Sequence, residues 1–258
     1  MDKAKNKTIA LALGGGSVLG AVHVGVLKAL DEQGIEIRSI SGTSAGAIIA
    51  SLYAFGKSAE EIEKIVLEFE WKKLSSLTIS KYGFLSNEKI AKTVKHHIGD
   101  RLIEDAAIPL SMIATDITTG EKVVLDKGSV ADSLRATTCV PGIFVPIELK
   151  GRLLVDGGIV ENIPISCLKN KNVHYVIGVD LIREHAHKRP QNVIEILYNS
   201  FNFLIKTNKK IQTKEADIII KPTLLEFNAI DMSQIKDLID IGYEETKKTI
   251  KPLFLDSI

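Results

Sequence analysis

The pentapeptide Gly42-Thr43-Ser44-Ala45-Gly46 follows the short apolar segment 38–41 directly and runs straight into a helix-like stretch, 47–55. A strand that becomes a helix within one or two residues forces the middle residue into a strained backbone conformation. Flanking glycines, lacking a Cβ, let neighbouring chain pass close by while the central side chain stands clear of the sheet. In this setting Gly42 and Gly46 form an elbow, and Ser44 sits at a helix N-terminus, where unpaired N–H groups favour developing negative charge. The competing reading of the pentapeptide is an ordinary Gly/Ser-rich turn.

A second strand–glycine–helix unit lies upstream. Residues 8–13 read as a buried strand, followed by Gly14-Gly15-Gly16-Ser17-Val18-Leu19-Gly20 and an amphipathic helix ending near Gly34. A glycine run in that position presents backbone N–H groups to an anion. For a serine attacking an acyl carbonyl these would form the oxyanion hole, with Gly14, Gly15 and Gly16 as the expected donors. Gly14, Gly16 and Gly20 also fit a loose dinucleotide loop, but the second strand ends in Ser41-Gly42 rather than in the acidic residue that would hold a ribose. No Gly-Lys-Ser or Gly-Lys-Thr closes this glycine run, and the Gly56-Lys57-Ser58 farther on has Ser51 where a P-loop needs its first glycine, which excludes a P-loop.

Far downstream, residues 152–155 read as a strand ending in Asp156-Gly157-Gly158, a carboxylate at a strand end followed by glycines that allow close approach. Asp-Gly is also a common turn dipeptide. Taken together, in this order, the glycine loop, the serine pentapeptide and Asp156 resemble the patatin-like phospholipase family. The resemblance runs from Leu11 to about Pro164 and includes Ser133-Leu134-Arg135-Ala136-Thr137 and Cys139-Val140-Pro141-Gly142-Ile143-Phe144. It implies a lipid acyl hydrolase with a serine–aspartate dyad and no catalytic histidine: Ser44 the nucleophile, Asp156 the base, Gly14 to Gly16 the oxyanion hole. Family members usually carry Arg or Lys just before the last glycine of the loop. This chain has Leu19, which weakens the case for an anionic headgroup, and Ser17 stands where a glycine is usual.

Asp156 is too weak a base to hold a free alkoxide, but it can accept the proton as Ser44 attacks. An apolar site would strengthen it. The chain order Ser, Asp, His of the α/β-hydrolases leaves His185 as a rival base, although it sits in the charged run 183–189. His185 and His187 lack the further ligands that a metal would need. His23 falls inside the first helix and is expected to be packed; His96 and His97 close a surface helix, where cations complement the dipole.

The 258 residues, 45% of them hydrophobic, suit a single catalytic domain spanning 1–258. A net charge of +1 argues against a nucleic-acid partner. Cys139 and Cys167 form no close-spaced pair and fit a reducing compartment. The apolar run 9–13 is too short for a signal peptide, and no stretch reaches the ~20 apolar residues of a membrane span. The expectation is a cytoplasmic protein that meets lipid peripherally, at the inner membrane surface, with no metal or organic cofactor. Its substrate would be a lipid acyl ester, phospholipid or lysophospholipid. An acyltransferase on the same dyad and a non-catalytic lipid-binding module are the alternatives.

Alternating strands and helices predict a three-layer α/β/α sandwich with a largely parallel sheet. Further helices are expected over 59–69, opened by a Ser58/Glu61 capping box, and over 87–98; further strands over 109–116, 122–125, 175–181 and 216–220. Residues 193–211 form an amphipathic helix whose stripe of Ile194, Leu197, Phe201, Leu204 and Ile211 is read as core in preference to a lipid-facing surface. The segment 71–85 is either a mobile lid or a packed crossover.

Overall fold

Large and small apolar residues alternate in Thr-Ile-Ala-Leu-Ala-Leu, residues 8–13, and that alternation sorts the two faces of a sheet. The computed structural model describes residues 7–68, 76–77, 80, 82–168, 172–182, 189–212 and 214–251, without the side chains of 76–77 and 207–212. In it β1 (Thr8–Leu13) leads through a short 3-10 turn to α1 (Val22–Glu32), then β2 (Glu36–Gly42), α2 (Ala45–Ala54) and α3 (Ala59–Leu67). There follow β3 (Ser76–Leu77), β4 (Gly83–Ser86), α4 (Glu88–Ile98), β5 (Leu110–Asp116), β6 (Lys122–Leu125) and α5 (Val130–Thr137). The remainder comprises β7 (Gly142–Phe144), β8 (Ile147–Leu149), β9 (Arg152–Asp156), β10 (Tyr175–Val179), α6 (Val193–Gln212), β11 (Ile218–Ile220) and α7 (Ile235–Ile250).

Eight strands make one sheet. β11, β10, β1, β2 and β5 run parallel side by side, and β6, β9 and β8 add antiparallel pairings at the β5 end. Ile9, Leu11 and Leu13 point into the main core with residues of α1, α2, α3 and α7. Ala10 and Ala12 point the other way, where Ile163, Ile165 and Leu168 cover them. The fold is therefore the expected mixed α/β layering around a mostly parallel sheet.

The antiparallel entry of β9 was not expected, and it decides where Asp156 goes. Met112 of β5 pairs with Gly42 on one edge and with Leu125 on the other; Ala114 pairs with Asp156 and with Val123. Since β6 occupies one edge throughout, β2 and β9 must share the other, β2 ending where β9 arrives from the opposite direction.

The Ser58/Glu61 capping box is formed, with both reciprocal bonds present. Of the stripe expected on 193–211, Phe201 is buried and Leu197 packs inward, but Ile194 and Leu204 are exposed, so they are not core, and the side chain of Ile211 lies outside the described residues. Segment 71–85 lies largely outside the described residues; of it, β4 pairs with β7. Among the described residues no helix is long and apolar enough to cross a membrane.

Helix α7, for which the sequence raised no expectation, lies against α1. A Cβ on Gly25 would stand 1.9 Å from the Ile239 carbonyl oxygen, and one on Gly242 would stand 2.1 Å from that of Val22. The two helices thus touch backbone to backbone, and Tyr243 donates its hydroxyl proton to the Glu32 carboxylate nearby. Gly242→Val should force them apart and lower the unfolding free energy by about 3 kcal/mol or more, measured by denaturant unfolding; an unchanged midpoint would contradict this packing.

Candidate active site

Ser44 has φ 53° and ψ −122°, a left-handed conformation rare for a side chain with a Cβ and held only where neighbours enforce it. The enforcement is visible. The Ser44 N–H donates to Thr137 Oγ1 at 3.0 Å, and the Thr137 hydroxyl donates to the Ile113 carbonyl at 2.6 Å. Thr43 N–H donates to the Leu13 carbonyl at 3.1 Å, and its hydroxyl donates to the Glu161 carbonyl at 3.0 Å. Gly46 lies so close to the end of β1 that a Cβ would sit 2.1 Å from the Leu13 oxygen, while Gly42 lets the first turn of α2 fold back over β2. The chain thus turns from β2 into α2 at Ser44, with Thr137 as a support that the sequence placed in a motif without a role.

Asp156 ends β9 at the height of Ala114, beside the elbow. Its N–H donates to the Cys139 carbonyl at 2.8 Å, its own carbonyl accepts from Thr115 Oγ1 at 2.9 Å, and Oδ1 accepts the Gly158 N–H at 2.8 Å. The side chain is fully buried, and among the described residues Oδ2 has no partner in hydrogen-bonding geometry. Burial pushes its pKa up to about 7, with the Gly158 N–H and the adjacent Ser44 hydroxyl pulling back. Near neutrality such a carboxylate can be either proton donor or acceptor, as acid–base chemistry requires. A serine–carboxylate contact short of full hydrogen-bond geometry is common before substrate tightens a site.

The three loop glycines do not behave alike. Gly14 N–H donates to the Val179 carbonyl and Gly15 N–H to the Asn162 carbonyl, both at 3.2 Å, so neither points at Ser44 as a spare donor. Among the described residues nothing accepts from the N–H of Gly16 or Ser17, and Ser17 holds φ 55°. Gly15 fits where it does because a Cβ there would meet Asn162 Oδ1 at 2.7 Å and Ser44 Cβ at 3.2 Å. His23, fully buried in α1, has Nε2 2.7 Å from the Gly14 carbonyl. Burial lowers its pKa to about 4, so the ring is neutral, and because a carbonyl only accepts, Nε2 carries the proton. It braces the loop from behind, a role that its place in a helix did not disclose. Leu19 is buried in the main core and borders the recess that holds Ser44.

Ser44 and Asp156 line a recess of about 50 Å³ with Gly16, Ser17, Asn162 and Phe201. Through Ser17, Ser44, Val140 and Tyr198 it adjoins a cleft of about 680 Å³ whose walls include Ile48, Ile49, Val66, Leu85, Ile143 and Phe144. A site with a polar pinch point and a long apolar wall suits an acyl ester. His185 and His187 lie outside the described residues, and among those described no group of His, Cys, Asp or Glu has the grouping to hold a metal ion.

The sequence matches the patatin-like phospholipase family over residues 11–168, a stretch that holds both Ser44 and Asp156 and stops before α6 and α7. It is 36% identical over 175 residues to an uncharacterized NTE family protein of Mycobacterium bovis, covering 67% of this chain and 49% of that protein. To Lysophospholipase NTE1 of Saccharomyces cerevisiae it is 25% identical over 271 residues, covering 92% of this chain and 16% of that one. The chain thus spans about half, or less, of the length of these relatives. Among solved structures VipD from Legionella pneumophila shares the fold, with a TM-score of 0.54 at 16% identity, over 96% of this chain and 67% of that one. With the family match extending over more than half of its residues, the chain belongs to the patatin-like phospholipase family.

Proposed function

We propose that this chain is a serine lipid acyl hydrolase, a single catalytic domain that cleaves fatty-acyl esters through an acyl-enzyme on Ser44 with Asp156 as general base. The observation that carries the reading is the buried Asp156 carboxylate, whose Oδ2 has no partner in hydrogen-bonding geometry among the described residues, beside a strained serine that opens on an apolar cleft. In the first step Asp156 Oδ2 accepts the hydroxyl proton as Ser44 Oγ bonds to the ester carbonyl carbon. The negative charge moves from the carboxylate to the carbonyl oxygen instead of being separated from a new positive charge, which suits a buried site. The N–H groups of Gly16 and Ser17 are the donors that would receive it, in place of the Gly14 and Gly15 groups already engaged. Collapse of the intermediate returns the proton from Asp156 to the leaving alcohol oxygen and leaves the acyl group on Ser44. The same carboxylate then takes a proton from water, which attacks the acyl-enzyme and releases the fatty acid.

Fatty-acid release from a panel of phospholipids, lysophospholipids and neutral acyl esters is expected to fall to background in Ser44→Ala. It should fall by about a hundredfold or more in Asp156→Asn and stay near wild type in His185→Ala. Equal losses at His185 and Asp156 would replace the dyad with a triad. For the wild type, kcat/KM should climb as pH rises through about 7, where the carboxylate loses its proton, and then level off.

Asp156 also leaves a mark on stability. Its folded pKa, about 7, lies above the ordinary aspartate value of 3.8, so the folded state binds the extra proton between those limits. Stability is thus greatest below the lower value, declines as pH rises, and above pH 7 the buried charge costs about 4 kcal/mol. At pH 8 Asp156→Asn should therefore unfold at higher denaturant than wild type, with the gap shrinking toward pH 5; a variant less stable at pH 8 would show that the carboxylate is not destabilising.

A further inference from the structure

Helix α6 lies outside the stretch matched to the family and is apolar on more of its circumference than its packing uses. Its inner face, through Leu197, Phe201 and Ile205, rests on two glycines of the body. A Cβ on Gly142 would meet Leu197 at 3.2 Å, and one on Gly158 would meet Ile205 at 3.0 Å and Phe201 at 3.1 Å. Gly158 is the residue whose N–H holds Asp156 Oδ1, and Phe201 and Ile205 help to line the recess, so α6 is the roof of the site.

Val193, Ile196, Phe203 and Leu204 form the adjoining face, spaced by three, seven and one residues so that they fall on one side of a helix. Each is between 51% and 55% exposed. A helix that merely packs on a core needs one apolar stripe, and this one carries a second that faces outward. Around the cleft mouth the exposed side chains of Ile194, Leu225 and Ile230 carry the apolar surface on into the cavity that holds Ser44. The charges that line this cleft, Arg189, Glu195 and Glu226, are of both signs and show no basic excess.

We propose that the outer face of α6 docks on a lipid surface, seating the roof helix in the interface so that an acyl chain passes from the lipid phase along Ile194, Leu225 and Ile230 to Ser44. This rests on the reading of the site as an acyl-ester hydrolase. The continuity of exposed apolar side chains with the cleft selects lipid over a protein partner, because a lipid surface supplies substrate and docking contact together. With mixed charges at the mouth, attraction comes from apolar burial, so binding to zwitterionic vesicles should change little with salt.

The test compares wild type with Ile196→Glu/Phe203→Glu, whose side chains touch neither the recess nor the cleft. Three readouts are needed: co-sedimentation with phosphatidylcholine vesicles, hydrolysis of vesicle lipid, and hydrolysis of a water-soluble short-chain ester. The double variant should lose about tenfold or more of both vesicle binding and vesicle hydrolysis while keeping soluble-ester turnover. In parallel, Phe203→Trp on a Trp71→Phe background should show a blue shift of indole emission when vesicles are added. Unchanged vesicle binding by the double variant, an indole that does not shift, or binding that appears only with anionic lipid and vanishes in salt would each overturn the proposal. So would a concentration-dependent dimer that the double variant abolishes, since the face would then belong to a second copy. Soluble-ester turnover without vesicle binding refutes docking alone, whereas vesicle binding that the double variant loses, in a wild type that cleaves no ester, refutes the hydrolase reading and leaves docking standing.

Discussion

One edge of β5 is shared by two strands that arrive from opposite directions, and the site exists because of it. β2 occupies the lower part and ends at Gly42 opposite Met112; β9 occupies the upper part and ends at Asp156 opposite Ala114. Ser44 is thrown out of the gap between them, next to the last residue of β9. A slip of one residue between β9 and β5 would turn the carboxylate to the other face of the sheet. The bonds from Thr115 Oγ1 to the Asp156 carbonyl and from Asp156 N–H to Cys139 pin that register from both sides. The glycine loop enters from a third direction, and its place follows from the parallel pairing that sets Leu13 beside Gly42.

The electrostatics follow from this arrangement. A fully buried carboxylate, held by one backbone N–H with the Ser44 hydroxyl beside it, is a stronger base than one in water, and by the same burial it opposes folding. Ser44 carries a second local penalty in its backbone conformation. Both are tolerated because the surrounding core is extensive, with α1, α2, α3 and α7 burying the odd-numbered face of β1. His23 fits the same pattern, a neutral ring in a dry core that holds the Gly14 carbonyl in place.

What the sequence disclosed was local. The strand-to-helix turn at Ser44, the glycine run after β1 and the Asp-Gly-Gly turn are short patterns whose geometry depends on a few adjacent residues. What it withheld depended on pairing across distance. Nothing near Asp156 reveals that β9 is antiparallel, and nothing near Gly14 and Gly15 reveals that Val179 and Asn162 take their N–H groups. Leu204 was read as core because helical periodicity records which residues share a face but not what that face meets. Helix α7 was legible and missed: Ile235, Leu238, Ile239, Gly242 and Thr246 repeat at helical spacing and are all buried.

The seam between α1 and α7 also sets an order of events for the polypeptide. The Tyr243–Glu32 hydrogen bond spans 211 residues, so the loop it closes is nearly as long as the fold itself. Contacts of such separation pay their chain-closure entropy before any packing rewards it, which makes them slow. Until α7 emerges and docks, the face of α1 around Gly25 stays uncovered, including the backbone that Ile239 later meets. A chain that has formed β1 to β9 without α7 therefore has an open flank on α1, while its elbow still lacks the bond to the Glu161 carbonyl. Apolar helix surface left open in this way is the general route by which unfinished chains aggregate, and docking of α7 closes it.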